Sequence, residues 1–81
     1  MKFIQRYLLG RELERLYDSE INAEISSFWD GGWTVKLGDK MNGFHFYGEN
    51  TCYTFEDIIE ELRDLAEEHF PNSTYVKNLN R

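Results

Sequence analysis

The apolar residues of this chain change their spacing twice, and this change limits the folds that the chain can adopt. Over residues 3–17 they recur every three or four positions, which is typical of a helix with one buried stripe. Over residues 21–37 they alternate with polar residues, as in strands with one buried face. Helical spacing returns over residues 55–70. With a further strand at 44–47, the order is α-β-β-β-α, which predicts an α+β fold with a three-stranded antiparallel sheet packed against two helices.

The segment Asp30-Gly31-Gly32 divides the alternating region and predicts a β-hairpin. A three-residue loop at 30–32 keeps the apolar side chains on one face, whereas a two-residue loop brings Glu24 or Ser26 onto that face. The favoured register pairs Trp29 with Trp33, Ser27 with Val35, and Ile25 with Leu37. We expect four aromatic residues to form the core against the helices: Trp29, Trp33, Phe44 and Phe46.

The helix at 55–70 has the clearest boundaries. Thr54 suits the N-cap, and Pro71 stops the helix because the residue before a proline disfavours helical geometry. One apolar stripe runs along it: Phe55, Ile58, Ile59, Leu62, Leu65, Ala66, His69 and Phe70. Residues 72–81 contain few apolar anchors and are expected to form a partly ordered tail of a single domain, 1–81.

This helix also accounts for the whole net charge of −6. Arg63 is its one fixed cation, and the remaining residues balance eight acids with eight bases. Its seven acids are Glu56, Asp57, Glu60, Glu61, Asp64, Glu67 and Glu68. A strongly acidic surface on an otherwise neutral chain favours a protein partner with a basic or nucleic-acid-binding surface, although acidic helix faces are often only solvated.

The sequence offers little for catalysis or for binding a cofactor. It has one cysteine, Cys52, so an internal disulfide is impossible, and we expect a small strand residue in a reducing cytoplasm. Glycine-rich phosphate loops, catalytic triad spacings and paired Cys/His spacings are absent. No apolar run reaches membrane-spanning length and no signal peptide is evident. We therefore expect a non-enzymatic cytoplasmic protein of a bacterial host cell, without metal or cofactor.

Aromatic residues are numerous for three short strands. Phe28, Trp33 and Tyr47 are the aromatic residues that we expect to contact a partner. Exposed aromatic side chains on a sheet can stack nucleic-acid bases, but few basic residues accompany them here, so direct nucleic-acid binding is disfavoured. A protein interface fits better, including the alternative of a homodimer formed through an aromatic sheet face.

The motifs LYDSEIN at 16–22, WDGGW at 29–33, KLGD at 36–39, NGF at 42–44 and HFPNS at 69–73 resemble a small uncharacterised family of bacteria and their phages, over roughly residues 16–75. That resemblance implies no function. The hairpin at 30–33 and the segment Thr54-Phe55-Glu56-Asp57 also resemble the N-terminal domain of HicB-type antitoxins. This resemblance implies an inhibitor of a basic RNA-acting protein. The chain departs from it by adding an N-terminal helix and by lacking both the proline-containing stretch after the second strand and a DNA-binding tail.

The α-β-β-β-α order is also similar to that of double-stranded-RNA-binding domains. Those domains need a basic second helix, so the acidic helix excludes that function here. The leading hypothesis is a phage or mobile-element protein that masks a nucleic-acid-acting protein, as an anti-CRISPR, anti-restriction or antitoxin-like inhibitor. The alternative is an accessory or structural protein that self-associates while its acidic helix is merely solvated.

Overall fold

Three helices and a small antiparallel sheet make up the part of the chain that the structure describes. The computed structural model describes residues 2–39, 46–48 and 50–79. The elements are, in order, α1 (Lys2–Asp18), β1 (Ile21–Phe28), β2 (Gly32–Asp39), β3 (Phe46–Tyr47), α2 (Phe55–His69) and α3 (Thr74–Leu79). The predicted α+β class is confirmed. No helix in the described part of the chain is long and apolar enough to cross a membrane.

The sheet is dominated by the β1–β2 hairpin. Along the other edge of β2, β3 contributes only two residues, and Trp33 and Cys52 form an isolated bridge. The strand order is β1-β2-β3, so β1 is an edge strand. The prediction of three regular strands is therefore wrong, because the extensive pairing involves only two strands.

The hairpin register differs from the predicted one by two residues. Trp33 pairs with Ser27, and Val35 pairs with Ile25. The chain turns at 29–31, where the Gly31 N–H donates to the Phe28 carbonyl at 2.9 Å, and not at 30–32. Gly32 then begins β2 with φ of +85°, and a Cβ there would lie 2.5 Å from the Cys52 carbonyl oxygen. A shift of two residues leaves the side chains within β1 and β2 on their predicted faces, since strand side chains alternate with a period of two.

The turn position also overturns the prediction that Trp29 belongs to the core. Trp29 lies in the turn, beyond the last residue of β1, and its side chain is 96% exposed. Trp33 remains on the helix-facing side, packed against the core. Phe44 lies outside the described residues, as does the side chain of Phe46.

The first two helices pack on one face of the sheet, α1 on β1 and α2 on β2. In α1 the buried residues are Leu9, Glu12 and Leu16, which share one side of the helix. The prediction of a single buried stripe is wrong for four of its members, which are exposed: Ile4, Tyr7, Leu8 and Tyr17. A straight helix presents only one side to a sheet, so apolar residues elsewhere on its circumference stay in solvent.

The predicted start and stop signals of α2 are confirmed. The Asp57 N–H donates to the Thr54 hydroxyl at 3.0 Å, and the Tyr53 N–H donates to the Asp57 carboxylate at 3.3 Å. These bonds satisfy donors at a helix N-terminus that have no partner within the helix. At the other end, the Phe70 N–H donates to the Ala66 carbonyl at 2.7 Å, immediately before Pro71.

Residues 74–79, within the segment that the sequence predicts to be a partly ordered tail, form α3. Ser73 precedes this helix, and its hydroxyl accepts from the Val76 N–H at 3.2 Å while donating to the Phe70 carbonyl at 2.8 Å. Tyr75 and Val76 are buried in the common core. Two large side chains thus hold a helix too short to be stable alone.

Candidate functional site

The most strongly charged surface is the outer side of α2. Six of the seven predicted acidic site residues are exposed there: Glu56, Asp57, Glu60, Asp64, Glu67 and Glu68. Asp57 also caps the helix, so we define the acidic face as the other five. Across the described residues, no lysine or arginine forms an ion pair with any of these five. Glu68 Oε1 lies 3.9 Å from His69 Nε2, and the other four carboxylates face solvent without an ion pair among the described residues.

Glu61 does not belong to the acidic face. It is only 8% exposed, accepts a hydrogen bond from the Asn50 side-chain amide at 3.2 Å, and packs against Gly48. The sequence groups Glu61 with its acidic neighbours, but successive helical residues point about 100° apart, so one of two adjacent acids can turn towards the sheet.

Arg63, the one fixed cation of α2, points towards α1. Its Nε donates to Glu12 Oε2 at 2.9 Å and a terminal nitrogen donates to Glu12 Oε1 at 3.2 Å, a bidentate pair. The Tyr75 hydroxyl of α3 donates to Glu12 Oε2, the oxygen that also accepts from Arg63 Nε. One carboxylate, with its side chain only 4% exposed, thus connects all three helices.

The surroundings of Glu12 favour its charged form. Burial alone would raise the pKa of this carboxyl, but the hydrogen bonds from Arg63 and Tyr75 and the charges of Arg63 and Arg15 outweigh it and lower the pKa. Burial and the hydrogen bond to Glu12 raise the pKa of the Tyr75 phenol, while the same carboxylate raises that of Arg63. Glu12 and Arg63 are therefore a charged structural pair.

A groove of about 350 Å³ separates α1 from the acidic face. Arg11 and Arg15 of α1 line one wall, and Glu56 and Glu60 of α2 line the other. The two cations partly offset the two acids at this flank. Asp64, Glu67 and Glu68 lie outside the groove lining, and Glu68 is beside His69, so Asp64 and Glu67 are the least compensated part of the acidic face.

Aromatic side chains are exposed at the hairpin turn. Trp29 is 96% exposed, Phe28 52% and Tyr53 68%; together we call these the aromatic tip. A Cβ built on Gly32 would lie 3.2 Å from the Tyr53 ring, and Gly32 pairs with Phe28, which places the three side chains at the same end of the hairpin. Tyr53 also immediately precedes the cap of α2, so the aromatic tip adjoins the first turn of the acidic helix.

The predicted aromatic site residues do not form one patch. Phe28 is half exposed and lies on the outer side of the sheet. Trp33 instead faces the helices and packs edge-to-face on Phe55, with the two ring centroids 5.5 Å apart. The side chain of Tyr47 lies outside what the structure describes. Sequence analysis missed Trp29 as a contact residue, although its position directly before Asp30-Gly31-Gly32 signals a turn.

The outer face of the hairpin is mainly polar. Lys36 pairs with Glu24 at 3.2 Å, and Ser26 lies opposite Thr34. Among the described side chains of β1 and β2, Phe28 is the one aromatic residue on this face, which is less than the aromatic surface expected for self-association through the sheet.

Neither a metal site nor a reactive thiol is evident in the part of the chain that the structure describes. Its His, Cys, Asp and Glu residues form no group of three or more that could hold a metal ion. Cys52 is buried, and burial followed by the charges of Glu61 and Asp57 raises the pKa of its thiol, which disfavours the thiolate. The two surfaces that remain as candidates are the acidic face and the aromatic tip.

Comparisons with protein-family models, curated proteins and solved structures found no match. The resemblances to HicB-type antitoxins and to the small bacterial and phage family therefore stay predictions. The properties of the two surfaces are what supports any proposal about function.

Proposed function

We propose that this protein is a small binding module that masks the basic, nucleic-acid-binding surface of another protein. The acidic face of α2 supplies the charge, and the exposed acids Asp64 and Glu67, for which the described residues offer no ion-pair partner, are the observation that carries the proposal. An anti-CRISPR, anti-restriction or antitoxin-like inhibitor would act in this way. Such a partner already carries a surface that recognises the negative charge of phosphates.

The spacing of the acids supports this proposal. Glu60, Asp64 and Glu67 follow one another at intervals of four and three, so they line one side of the helix. Complementary charge of this kind raises the association rate and opposes unsuitable partners more than it adds affinity. The binding energy then has to come from a second, less polar contact.

The aromatic tip is suited to provide that contact. Tryptophan and tyrosine are enriched among the residues that dominate binding energy at interfaces. Trp29 lies in a turn whose backbone is ordered by the hydrogen bond from the Gly31 N–H to the Phe28 carbonyl, so binding does not have to order that backbone. Of the aromatic residues predicted to contact a partner, Phe28 belongs to the aromatic tip. In this proposal Trp29 and Tyr53 take the place of Trp33 and Tyr47.

The test uses the immobilised full chain to capture proteins from a bacterial lysate, followed by competition with double-stranded DNA or structured RNA. We expect the captured protein to bind nucleic acid, and nucleic acid to displace it. We also expect capture to weaken as salt rises from about 0.05 M to about 0.5 M, because the Debye length shortens about threefold.

Charge-reversal variants test whether binding depends on the acidic face itself or only on the net charge of the chain. Asp64→Lys, Glu67→Lys and the control Asp18→Lys each change the net charge by the same amount, and Asp18 lies on α1. Binding should weaken for the first two and persist for the third, and the triple variant at Glu60, Asp64 and Glu67 should abolish it. Equal binding by the triple variant would show that the acidic face is only solvated.

Trp29→Ala tests the anchor separately. We expect a loss of at least tenfold in affinity, mostly through faster dissociation, with folding unchanged because Trp29 has almost no buried area. The Trp29→Phe variant should retain part of the affinity. An unchanged dissociation rate in Trp29→Ala would remove the tip from the interface.

A further inference from the structure

A cavity of about 290 Å³, which we call the aromatic pocket, lies where the N-terminal part of α1 meets the starts of β2 and α2. Half of its lining residues are aromatic, and no member of the acidic face lines it. The lining residues are Gln5, Arg6, Trp33, Tyr53, Thr54 and Phe55. Concave sites that bind small molecules are typically apolar with a few convergent polar groups, and this cavity has that character.

The fold holds part of the aromatic wall in place. The rings of Trp33 and Phe55 meet edge-to-face, with an angle of 68° between their planes, and both residues pack against the core. The Trp33 N–H donates to the Cys52 carbonyl and the Cys52 N–H donates to the Trp33 carbonyl, each at 2.8 Å. A wall that is already ordered can receive a flat apolar group at a small cost in conformational entropy.

Arg6 supplies the one fixed charge among the lining residues of the aromatic pocket. It is exposed, and in the described part of the chain no carboxylate forms an ion pair with it. Arg63, in contrast, is already bound by Glu12 through two hydrogen bonds. A guanidinium donates hydrogen bonds in a planar fork that matches a carboxylate, so Arg6 can bind an anionic group of a ligand.

The indole N–H of Trp33 is a second donor in the lining. Within the described residues it has no hydrogen-bond partner, although every buried side-chain polar atom there has one. This N–H is therefore accessible to solvent. Indole and guanidinium groups donate hydrogen bonds and cannot accept them. A ligand that satisfies both Trp33 and Arg6 has to bring acceptor atoms.

The surrounding charges limit how negative that ligand can be. Glu56 follows Phe55 directly, and the Asp57 carboxylate accepts from the Tyr53 N–H at 3.3 Å. These acids repel a doubly charged group, such as a phosphate monoester, more strongly than a singly charged one. The net charge of −6 acts in the same direction and disfavours long polyanions. A single carboxylate fits this balance better than a phosphate.

We propose that the aromatic pocket binds a small aromatic monocarboxylate, with its ring against Trp33 and Phe55 and its carboxylate on Arg6. The volume is near the lower end of the range for ligand sites, which suits one ring with a short acidic side chain. This proposal does not rest on the proposed function. Because Tyr53 also belongs to the aromatic tip, a bound acid would lie beside that surface.

The experiment is a titration of the full chain with phenylacetate, followed by the two indole N–H signals in ¹H–¹⁵N correlation NMR. Trp33 lines the aromatic pocket, whereas Trp29 does not and is 96% exposed, so the second signal is an internal control. Trp29→Phe assigns the signals. We expect the Trp33 signal to shift saturably with a dissociation constant below about 1 mM, and the Trp29 signal to shift much less.

Related compounds separate the contributions of charge and ring at constant ionic strength. Phenylacetamide has the same shape without the charge and should bind at least about tenfold more weakly. 2-Phenylethylamine, a cation, and acetate, which lacks the ring, should produce no saturable shift. Phenyl phosphate should bind more weakly than phenylacetate because of its second charge.

Arginine variants test the position of the cation. Arg6→Gln should weaken the binding of phenylacetate about tenfold, and Arg6→Lys should retain part of the affinity because it keeps the charge and loses the planar fork. The matched control is Arg11→Gln, which removes an exposed arginine of the same helix that lines the groove beside the acidic face. It should bind phenylacetate as the wild type does.

Three results would overturn the proposal. The first is a Trp33 signal that does not shift saturably with phenylacetate. The second is equal affinity for phenylacetate and phenylacetamide, or tighter binding of phenyl phosphate. The third is unchanged affinity in Arg6→Gln. Capture of a basic partner by the acidic face is measured separately, so either proposal can fail without the other.

Discussion

Glu12 and Glu60 are both helical glutamates beside arginines, yet they have opposite environments. Glu12 is buried, bound by Arg63 and Tyr75, and holds three helices together. Glu60 is exposed at the edge of a groove, and in the described part of the chain it has no ion pair. The difference shows that a carboxylate stabilises this fold only where its desolvation is offset by several hydrogen bonds.

The same contrast separates the structural and the interaction surfaces. Removing a group from the Glu12 cluster leaves buried polar atoms without partners, so it should cost stability. Changing a group on the acidic face alters only solvated charge, so it should affect binding and leave folding intact. The following variants test whether this division is real.

The largest effect should come from Glu12→Ala. We expect the free energy of unfolding to fall by about 3 kcal/mol, because the buried Tyr75 hydroxyl loses its acceptor and Arg63 loses a bidentate partner. The matched control is Glu60→Ala, which should change it by less than about 0.5 kcal/mol. Urea unfolding followed by circular dichroism measures both. Equal losses would mean that the two glutamates do not differ as described.

The pH dependence of the unfolding free energy should show that Glu12 stabilises the fold in its charged form. The pKa of Glu12 is lowered in the folded protein, so its contribution is present above the unfolded value of about 4.3 and is lost as the pH falls through the folded value. The stability difference between the wild type and Glu12→Gln should therefore be largest near neutral pH and shrink below pH of about 4. A difference that stays constant down to pH of about 2 would contradict the lowered pKa.

Tyr75→Phe should have an intermediate effect. It removes one hydrogen bond to the charged Glu12 and preserves the ring packing, so we expect a loss of about 1.5 kcal/mol. Amide exchange should increase over α3 in particular, because Tyr75 is one of the two buried residues of that helix. Tyr53→Phe, at an exposed tyrosine, is the control and should leave both measurements unchanged.

The smallest effect on stability should come from Asp64→Lys/Glu67→Lys. Exposed charges of one helix repel one another weakly, so the unfolding free energy should rise or fall by less than about 0.5 kcal/mol. The same variant should nevertheless reduce capture of the basic partner. A loss above about 2 kcal/mol would show that these acids contribute to the fold, and the comparison with Glu12 would then fail.

Local patterns were sufficient to predict α2 and the faces of the hairpin. Thr54, Asp57 and Pro71 act within one or two helical turns, and period-two alternation assigns each strand residue to a face. The register and the position of Trp29 could not be predicted, because a loop at 29–31 and one at 30–32 both satisfy that alternation. The close approach of Gly32 to the Cys52 carbonyl accompanies the loop at 29–31. These two residues are twenty positions apart, so local spacing does not reveal their contact.

The candidate site divides in the same way. The sequence identified every member of the acidic face, because charge is a property of the residue. It also counted Glu61 with them, and it missed both Glu12 and Trp29. Burial of Glu61 depends on which elements pack nearby. Exposure of Trp29 depends on the exact position of the turn, which the neighbouring Asp30-Gly31-Gly32 indicates only to within a residue.

The sequence by itself determined the α+β class, the amphipathic α2 and the concentration of net negative charge in one helix. The tertiary structure decided which carboxylates are structural and which are free to meet a partner. Glu12 reaches Arg63 across 51 residues of sequence and Tyr75 across 63. Contacts over such separations arise from the packing of whole helices, and local propensity and spacing contain no information about them.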